Sequence, residues 1–418
     1  EDISPLLDFF LEHVEAAPQD VDADFRMQPA TLGYDNFLGR MGIIRVYDGS
    51  IKAGQEIFLK DHEGKTVKGK ISKLFNFEGL SRIETTEVFA GDIAMIAGIP
   101  EVYIGQTILA EDAGELLPAI TIDEPTISLS MFVNDSPFGG KVGKLLTSRQ
   151  IRERLEKELE VNVGLKVDFS DQAQFKVFGR GELHLAVLIE NMRREGFELA
   201  VSQPEVIVKE VDGKKQEPFE EATILVPDEF AGNIIEKLGK RKGLMQAMVN
   251  TNAGTKIVFH IPTRGLMGYR NEFTVDTKGE GIFTSVFHAF MPYVGMIERS
   301  EFGSMISMMT GKALGFSLAN LQQRGVLYIH PNTEVYEGMV LGYTSKGEEL
   351  MVNPTKGKQL TNMRASGTDE ATKIIPPFEL TLERGLGMMG DDEYLEVTPD
   401  AIRLRKQFLK ESERKRKK

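Results

Sequence analysis

The chain contains no cysteine among its 418 residues. Disulfide bonds, thiolate nucleophiles and cysteine-based zinc sites are therefore excluded. Long apolar runs are also missing, since none approaches the roughly 20 residues that a membrane-spanning helix needs. The acidic start, Glu1-Asp2, does not resemble a signal peptide. These features predict a soluble cytoplasmic protein that makes no membrane contact.

Arrangements of side chains that would support catalysis or metal binding are equally scarce. The six histidines show no metal-ligand spacing, and no serine–histidine–aspartate arrangement can be assigned. His184 is expected to pack or to hydrogen-bond rather than to act as a base. The acidic triplet 391–393 could bind a divalent cation weakly, although an exposed acidic turn is the better interpretation. We predict no catalytic residue and no metal site.

The charge of the chain is unevenly distributed. The formal net charge is −13, which argues against a nucleic-acid partner for the protein as a whole. The segment Arg403–Lys418 nevertheless carries nine basic residues against two acidic ones. Such a tail is either a solvated end or a contact for RNA phosphates, and the strength of a phosphate contact would fall steeply with salt.

Hydrophobic patterning predicts a multidomain α+β protein that begins with a helix and a β-barrel. Residues 3–16 form one amphipathic helix, with Ser4 as N-cap, Pro5 at the first helical position and an apolar stripe that includes Leu6 and Phe9. Period-two alternation then runs through residues 21–122, and Asp48-Gly49 predicts a hairpin there. Several short strands without helices favour a closed antiparallel barrel.

Two similar units and a β-rich domain follow the barrel. Residues 123–205 predict the order βαββαβ, which is typical of ferredoxin-like domains, and residues 206–297 repeat it. Residues 298–418 fit neither pattern and predict a β-rich C-terminal domain with a basic tail. Within it, Thr398-Pro399-Asp400 is expected to begin a C-terminal helix that merges into the tail.

A polar loop with little periodicity lies between Asn353 and Lys373. Loops of this length are usually functional or disordered. Arginine and lysine bind phosphate, while asparagine, serine and threonine can reach sugars or base edges. The RNA-binding candidates in this loop are Lys356, Lys358, Asn362, Arg364, Ser366, Thr368 and Lys373. From the residues alone, a solvated flexible loop is the competing interpretation.

Two further groups of cations lie in the second βαββαβ unit. Lys240, Arg241 and Lys242 follow Lys237 at a helix end, where cations also interact favourably with the helix dipole. Four cations exceed what capping needs, which favours RNA contact. Arg264 and Arg270 flank Gly265 and Gly268. These two arginines are either RNA contacts or salt-bridge partners at the edge of the core.

Five segments together resemble the BipA/TypA family of ribosome-associated translational GTPases, and the resemblance covers essentially the whole chain. Two of them resemble domains II and III of elongation factor G-like GTPases, two resemble the LepA and BipA branches, and the last resembles the BipA/TypA C-terminal domain. The segments are Gly39-Arg40-Met41-Gly42 with Ile51-Lys52-Ala53-Gly54, Phe178-Gly179-Arg180-Gly181-Glu182-Leu183-His184-Leu185, Arg264-Gly265-Leu266-Met267-Gly268-Tyr269-Arg270, Val335-Tyr336-Glu337-Gly338-Met339 and the stretch from Lys358 to Ala371.

The resemblance implies an order of domains. Residues 1–20 would be a linker helix from a missing GTP-binding domain, 21–122 the translation-factor β-barrel, 123–205 domain III, 206–297 domain V and 298–418 the family-specific domain. The chain has no G-x-x-x-x-G-K-[ST] motif and no N-K-x-D guanine reader. Gly139-Gly140-Lys141-Val142-Gly143-Lys144-Leu145 resembles a phosphate-binding loop only superficially, because its glycine spacing is wrong and Leu145 has no hydroxyl for magnesium.

The resemblance also implies a function. The family binds ribosomes, so the expected partners are ribosomal RNA, A-site tRNA and ribosomal proteins, with the polar loop contacting RNA. Expected roles are stress-adapted translation and assembly of the large ribosomal subunit, performed by a monomer. GTP and Mg²⁺ are expected only through the missing domain of the parent protein, and this chain is not expected to hydrolyse GTP. The alternatives are a protein-interaction scaffold without direct RNA contact and an unrecognised hydrolase.

Overall fold

The computed structural model describes residues 2–15, 20–297, 303–357 and 374–417. The chain divides into two compact units. The first comprises Glu1–Ile122 and Arg154–Gly164, and the second comprises Asp123–Glu153 and Leu165–Lys418. Among the described residues, no helix is both long enough and apolar enough to cross a bilayer.

The first compact unit begins with helix α1 (Ser4–His13), as predicted. Its N-cap is Ile3 rather than Ser4, and Pro5 occupies the first turn. None of its residues is buried, and the apolar side chains of Leu6 and Phe9 are about half exposed. The helical period was predicted correctly, but the stripe is not covered by any of the residues that the structure describes.

Ten strands make up most of the rest of the first compact unit. They are β1 (Arg26–Asp35), β2 (Gly39–Asp48), β3 (Ser50–Lys52), β4 (Glu56–Lys60), β5 (Thr66–Lys70), β6 (Lys73–Glu78), β7 (Ser81–Thr85), β8 (Glu87–Phe89), β9 (Ile93–Ala97) and β10 (Thr107–Leu109). Eight strands form an antiparallel sheet in the order β5-β4-β10-β1-β2-β9-β6-β7, and β3 pairs with β8.

Along these strands, every second side chain points into a single core. Met27, Val46, Ile57 and Ile96 are all buried there, as period-two patterning requires. The predicted antiparallel arrangement around one core is confirmed, whereas no pairing among the described strands joins β5 to β7 and closes the sheet. The hairpin predicted at Asp48-Gly49 is wrong, because the strand after this turn pairs with β8 and not with β2.

Most of the first βαββαβ unit lies in the second compact unit. It comprises β11 (Ile127–Val133), α2 (Ser148–Val161), β12 (Lys166–Asp168), β13 (Gln174–Gly179), α3 (Glu182–Arg194) and β14 (Leu199–Ser202). Its strands lie in the order β12-β13-β11-β14, which is the ferredoxin-like arrangement. Thr147 and Gln150 bond reciprocally at the start of α2, at 3.0 and 3.3 Å, and so form a capping box.

The second βαββαβ unit repeats the topology. It comprises β17 (Lys214–Val226), α4 (Asp228–Lys240), β18 (Leu244–Thr251), β19 (Gly254–Pro262), α5 (Thr263–Leu266), α6 (Tyr269–Asp276) and β20 (Ile282–Pro292), with strand order β18-β19-β17-β20. Short strands β15 (Glu205–Val206) and β16 (Lys209–Val211) precede it. One helix was predicted near 265–273, but Gly268 at φ 72° divides it into α5 and α6.

The described part of the chain after residue 302 contains three short helices and a small mixed sheet. The elements are β21 (Ser304–Ser307), β22 (Gly311–Lys312), α7 (Gly315–Leu321), β23 (Gly325–Leu327), β24 (Glu334–Val335), β25 (Val340–Thr344), β26 (Leu350–Val352), α8 (Leu382–Met388), β27 (Glu393–Val397), β28 (Ile402–Lys406) and α9 (Glu411–Lys417). The sheet order is β23-β25-β21-β26, and β21 and β26 run parallel.

The helix predicted to start at 398–400 is wrong. Thr398 and Ala401 form a turn, with Thr398 N–H bonded to Ala401 O at 3.0 Å, and this turn joins β27 to β28. The two strands extend the first ferredoxin-like sheet, since β27 pairs with β14. The apolar residues Leu395, Val397 and Leu404 are buried in strand alternation, and helix α9 starts only at Glu411.

Candidate nucleic-acid interface

Much of the predicted basic tail is internal rather than exposed. Arg403 lies on β28 and donates to the fully buried carboxylate of Glu396 at 3.0 Å. Arg405, on the same strand, is 2% exposed and is bonded to Asp135. These two cations are neutralised inside the fold and are not available to phosphates.

Lys406 is the third internal cation of β28. Its ammonium pairs with Asp392 at 2.8 Å, with Glu393 at 3.1 Å and with Glu349. Burial alone would lower the pKa of Lys406, but the three carboxylates outweigh it and raise that pKa above its usual value. The acidic triplet considered as a weak cation site therefore supplies partners for a lysine.

The end of the tail is a short helix with a few exposed cations. Arg414 donates to the carbonyls of Phe408 and Leu409, at 2.7 and 2.6 Å, which fastens the end of the chain onto itself. Lys410 and Arg416 are exposed. Lys415 is exposed as well, so the cations that the structure shows to be internal in the tail are Arg403, Arg405 and Lys406 of β28.

The cations at the end of α4 have different surroundings. Lys237 pairs with Asp276 at 2.7 Å, and Arg241 pairs with Glu272 at 2.7 Å. The Arg241 guanidinium also donates to the Gly265 carbonyl at 2.9 Å, and its side chain is only 7% exposed. These two residues tie α4 to α6, and burial removes Arg241 from the predicted RNA-binding surface.

Lys240 and Lys242 are the exposed members of this group. Lys240 pairs with Glu236 one turn earlier, at 2.7 Å, and both side chains are exposed. Lys242 is exposed and adopts a left-handed conformation, with φ 65°. Its N–H bonds to Gly239 O at 3.0 Å, and the N–H of Gly243 bonds to Leu238 O at 2.8 Å.

These two hydrogen bonds define a Schellman motif with Lys242 at the C′ position, where glycine is preferred. A side chain in this conformation costs roughly 1–2 kcal/mol. Glycines are present nearby, at positions 239 and 243, yet a lysine occupies the strained position 242. The same motif ends α6, where the exposed Lys278 has φ 51° and precedes Gly279, so the strain alone does not distinguish Lys242.

Arg264 and Arg270, which the sequence could not distinguish, have opposite surroundings. Arg264 forms a bidentate pair with Glu217, a carboxylate that is fully buried, and stacks over Tyr293 with its guanidinium carbon 4.4 Å from the ring centre. It is therefore a core-edge salt-bridge partner. Arg270 is exposed and lies over the ring of Phe283 at 5.0 Å.

Arg270 also borders a cavity of about 280 Å³. The cavity lies between the start of α3 and the second ferredoxin-like sheet, and its polar lining includes Arg180, Glu182 and Glu220. His184 lies nearby and accepts a hydrogen bond from the Arg180 N–H at 3.2 Å, in keeping with the hydrogen-bonding role expected for it. The cavity carries both signs of charge, so its electrostatics do not favour an anion by themselves.

Of the RNA-binding candidates in the polar loop, Lys356 is the one that lies within the described residues. It is exposed and follows a turn in which Asn353 Oδ1 accepts the N–H of Thr355 at 3.0 Å. The other candidates of this loop lie outside the described residues and are Lys358, Asn362, Arg364, Ser366, Thr368 and Lys373.

The glycine-rich loop that superficially resembles a phosphate-binding loop holds an internal carboxylate. The N–H groups of Gly140, Val142 and Gly143 donate to Glu198 at 2.7, 2.9 and 2.6 Å. A Cβ at Gly143 would lie 2.4 Å from Glu198 Cγ, so this glycine permits the close approach. The loop is an anion cradle whose anion is part of the protein, and its backbone donors are not free for a nucleotide.

The histidines were interpreted as scattered, and the fold corrects this for two of them. His260 and His288 stack with ring centres 4.0 Å apart, and His260 Nε2 lies 3.4 Å from Glu221 Oε2. Sequence spacing missed this cluster because its members come from three different strands. The alternation of strand residues could have suggested a shared face but not the register that brings the side chains together.

Three family profiles match the chain. They are the elongation factor Tu domain 2 at residues 39–109, the elongation factor G C-terminus at 214–300 and the TypA/BipA C-terminal domain at 302–411. The first lies within the barrel, and the second covers the second ferredoxin-like unit. The multidomain fold expected for a translation factor is confirmed by these matches.

Curated proteins match over nearly the whole chain. The "Large ribosomal subunit assembly factor BipA" of Escherichia coli (strain K12) is 47% identical over 419 aligned positions, which cover 100% of this chain and 69% of that protein. The proteins of the same name from Haemophilus influenzae and Synechocystis are 46% and 45% identical and are covered over 68% of their lengths. A solved structure from Thermus thermophilus has 17% identity and a TM-score of 0.45 over 70% of this chain and 59% of its own, too weak a likeness to bear on function.

Proposed function

This chain belongs to the TypA/BipA family, and from that premise we propose that it is the ribosome- and RNA-binding portion of a translational GTPase. Its proposed roles are assembly of the large ribosomal subunit and translation under stress. The proposed partners are ribosomal RNA, A-site tRNA and ribosomal proteins, and the proposed location is the cytoplasm, where the protein acts as a monomer.

One observation carries the proposal. The identity of 47% with a large ribosomal subunit assembly factor extends over every domain of the chain. The match is therefore not limited to a single widespread module such as the barrel. A shared ribosome-binding role is the simplest account of similarity that includes the family-specific C-terminal domain.

The described surface supports RNA contact through a small number of exposed cations. Lys242, Arg270 and Lys356 are exposed, and Lys242 is held in a strained conformation at a helix end. Exposed cations of an acidic protein can position RNA phosphates while the remaining negative charge opposes nonspecific binding. The six candidates between residues 358 and 373 stay part of the proposal as predictions from sequence.

In this proposal, GTP binding and hydrolysis belong to another domain of the parent protein. We propose that GTP and Mg²⁺ bind through a domain that these 418 residues do not include. The sequence has no phosphate-binding loop motif, and the nearest lookalike is filled by Glu198. The purified chain is expected to show no GTP turnover above the uncatalysed background.

Cosedimentation with purified ribosomal subunits at increasing salt tests the proposal. Binding to the large subunit should weaken by at least roughly tenfold between about 50 and 200 mM salt, as several phosphate contacts require. The triple variant Lys242→Ala, Arg270→Ala, Lys356→Ala should bind several-fold more weakly with little change in thermal midpoint, because all three side chains are exposed.

A matched control removes the same amount of positive charge elsewhere. The triple variant Lys52→Ala, Lys68→Ala, Lys346→Ala changes three other exposed lysines and should bind nearly as well as the wild type. A result in which this control weakens binding as much as the first triple variant would mean that only bulk charge matters. Absence of binding to either subunit at low salt would overturn the proposal for this chain.

A protein-interaction scaffold is the second candidate, and one observation favours it. Strand β18 is exposed along its entire length, and its apolar side chains Leu244, Met245, Met248 and Val249 are each about half exposed. A large exposed apolar patch is typical of a protein contact. Binding to ribosomes that is insensitive to salt but lost on Met248→Asp would favour this scaffold over the RNA contact.

A further inference from the structure

We propose that Glu221, His260 and His288 form a binding site for a divalent transition-metal ion of the zinc class. The site lies on the face of the second ferredoxin-like sheet that is opposite its helices. It is independent of the proposed contact with RNA, because none of its three residues belongs to that cation surface.

The three residues come from three strands that neighbour one another. Glu221 lies on β17, directly opposite His260 on β19. His288 lies on β20, on the other side of β17, at a bulge where the register shifts between Phe219 and Glu220. Bulges re-aim side chains, and this one allows His288 to lean across the central strand.

The helix-facing residues of these strands alternate with the proposed ligands. Ala222, Ile257 and Ile261 are buried in the core beneath α4 and α5, so their sequence neighbours point to the opposite face. Neighbouring strands are about 4.8 Å apart, and side chains two strands apart are normally separated by about twice that distance. The 4.0 Å separation between the rings of His260 and His288 therefore reflects convergence over Glu221.

The distances between these side chains fit coordination of one shared ion better than direct hydrogen bonds between the residues. His260 Nε2 is 3.4 Å from Glu221 Oε2, which is longer than a normal hydrogen bond of this type. Two ligands on a tetrahedral ion with bonds of about 2.0–2.1 Å are separated by about 3.3 Å. One donor atom of each of the three residues lies within 4.8 Å of the others, and the exposed His288 must rotate out of its stacked position on His260 to direct its lone pair at the same ion.

The chemistry of the donor atoms indicates which metal ions this site would bind. Two imidazole nitrogens and one carboxylate oxygen suit zinc, cobalt, nickel or copper, whereas magnesium and calcium prefer oxygen donors alone. Three protein ligands leave a fourth position for water or for a ligand from a partner. Within the described part of the chain, the only ion pair of Glu221 is with His260, so no lysine or arginine competes for its carboxylate.

The test uses the full 418-residue chain without a histidine tag, titrated with Co²⁺ and followed by visible absorption. The chain has no cysteine, so a cobalt spectrum cannot come from thiolate ligands. One equivalent should bind, with bands typical of nitrogen and oxygen donors, and Zn²⁺ should displace it. Calorimetry with Zn²⁺ alone then gives the affinity.

The variants separate this site from adventitious binding. His288→Ala changes an exposed residue and should fold normally, and it should weaken binding of Zn²⁺ at least roughly tenfold. Glu221→Gln keeps the shape of the side chain and should also weaken it. His62→Ala removes an exposed histidine from the first compact unit and should leave the affinity unchanged.

Equal affinity in the wild type and the His288→Ala variant would overturn the proposal, and so would binding only at millimolar Zn²⁺. Neither result would affect ribosome cosedimentation, so the two proposals can fail separately.

Discussion

The two ferredoxin-like sheets have the same strand order but differ at their edges. In the first, the fourth strand, β14, is covered by β27, so the C-terminal hairpin continues the sheet. In the second, the corresponding fourth strand, β20, pairs only with β17 among the described strands, and every residue of the opposite edge strand, β18, is exposed. The same topology therefore anchors the end of the chain in the first sheet and leaves an exposed edge strand in the second.

Buried and exposed charges occur in both units. Near the extended first sheet, Glu396 is fully buried and accepts hydrogen bonds from Asn134, Tyr336 and Arg403. On the second ferredoxin-like unit, Lys242 and Arg270 remain exposed. A count of basic residues therefore does not identify a basic surface, because acids on neighbouring elements neutralise some cations in both units, including Arg241 and Arg264 in the second.

Breaking the anchored sheet should have the largest effect. Glu396→Ala removes the carboxylate that Arg403 and the buried hydroxyl of Tyr336 share. An uncompensated buried charge and an unsatisfied hydroxyl should lower the free energy of unfolding by about 3–5 kcal/mol. Urea denaturation measures this loss, and Glu413→Ala, at an exposed glutamate of α9, should change stability by less than about 0.5 kcal/mol. Equal effects of the two substitutions would show that the hairpin is not anchored by this network.

The two arginines of the second ferredoxin-like unit provide a sharper contrast. Arg264→Ala leaves the buried carboxylate of Glu217 without its cation and should cost about 3 kcal/mol of unfolding free energy. Arg270→Ala should cost less than about 0.5 kcal/mol, because that side chain is exposed. Ribosome binding at matched folded concentration should be weakened by Arg270→Ala. If Arg270→Ala unfolds the protein as readily as Arg264→Ala, the assignment of these two residues is wrong.

Repeated local patterns made most of the fold predictable. Period-two alternation indicated the barrel and both sheets, and the apolar spacing of Phe230, Ile234 and Leu238 marked the buried face of α4. The failures arose where a distant segment decided the outcome. The segment 398–406 looks like the start of a basic helix, but pairing of the C-terminal hairpin with β14, far earlier in the chain, makes it part of a sheet.

The candidate site was predicted less well, for the same reason. Arg241 and Lys242 are neighbours in sequence, yet one is buried against Glu272 and the other is exposed in a left-handed turn. Nothing in their local composition separates them, because the partner acids lie on α6. The pairing of His260 with His288 likewise depends on strand register and a bulge.

Lys242→Gly tests whether the strained conformation of Lys242 is kept because its side chain binds RNA. Glycine adopts φ 65° without steric cost, so the substitution should raise the free energy of unfolding by about 1 kcal/mol. It should also remove one phosphate contact, which lowers the slope of log affinity against log salt by about 1. Denaturation and salt-dependent cosedimentation measure the two effects. Lys242→Ala, which keeps the strain, should weaken binding without the gain in stability, and a variant that gains stability with unchanged binding would remove Lys242 from the site.

The smallest effect concerns the pH dependence of helix α3 in the first ferredoxin-like unit. Hydrogen bonding by Arg193 is the main cause that lowers the pKa of Glu190 to about 2, with Arg194 adding to it and burial opposing it. Because the pKa is lower in the folded state, this stabilisation is fully present above about pH 4.5 and is lost as the pH falls towards 2.

Glu190→Gln should therefore cost about 1 kcal/mol at about pH 6, a value reduced for the partial exposure of the pair, and the cost should shrink as the pH falls from about 4.5 and vanish only below about pH 2. Urea denaturation of both proteins across this range measures the difference. Glu236→Gln on α4 removes an exposed pair with Lys240 in the second ferredoxin-like unit and should leave stability nearly unchanged at every pH. If the cost of Glu190→Gln does not vary with pH, the glutamate acts through packing and not through its charge. The difference between the partly buried pair on α3 and the exposed pair on α4 would then be one of packing alone.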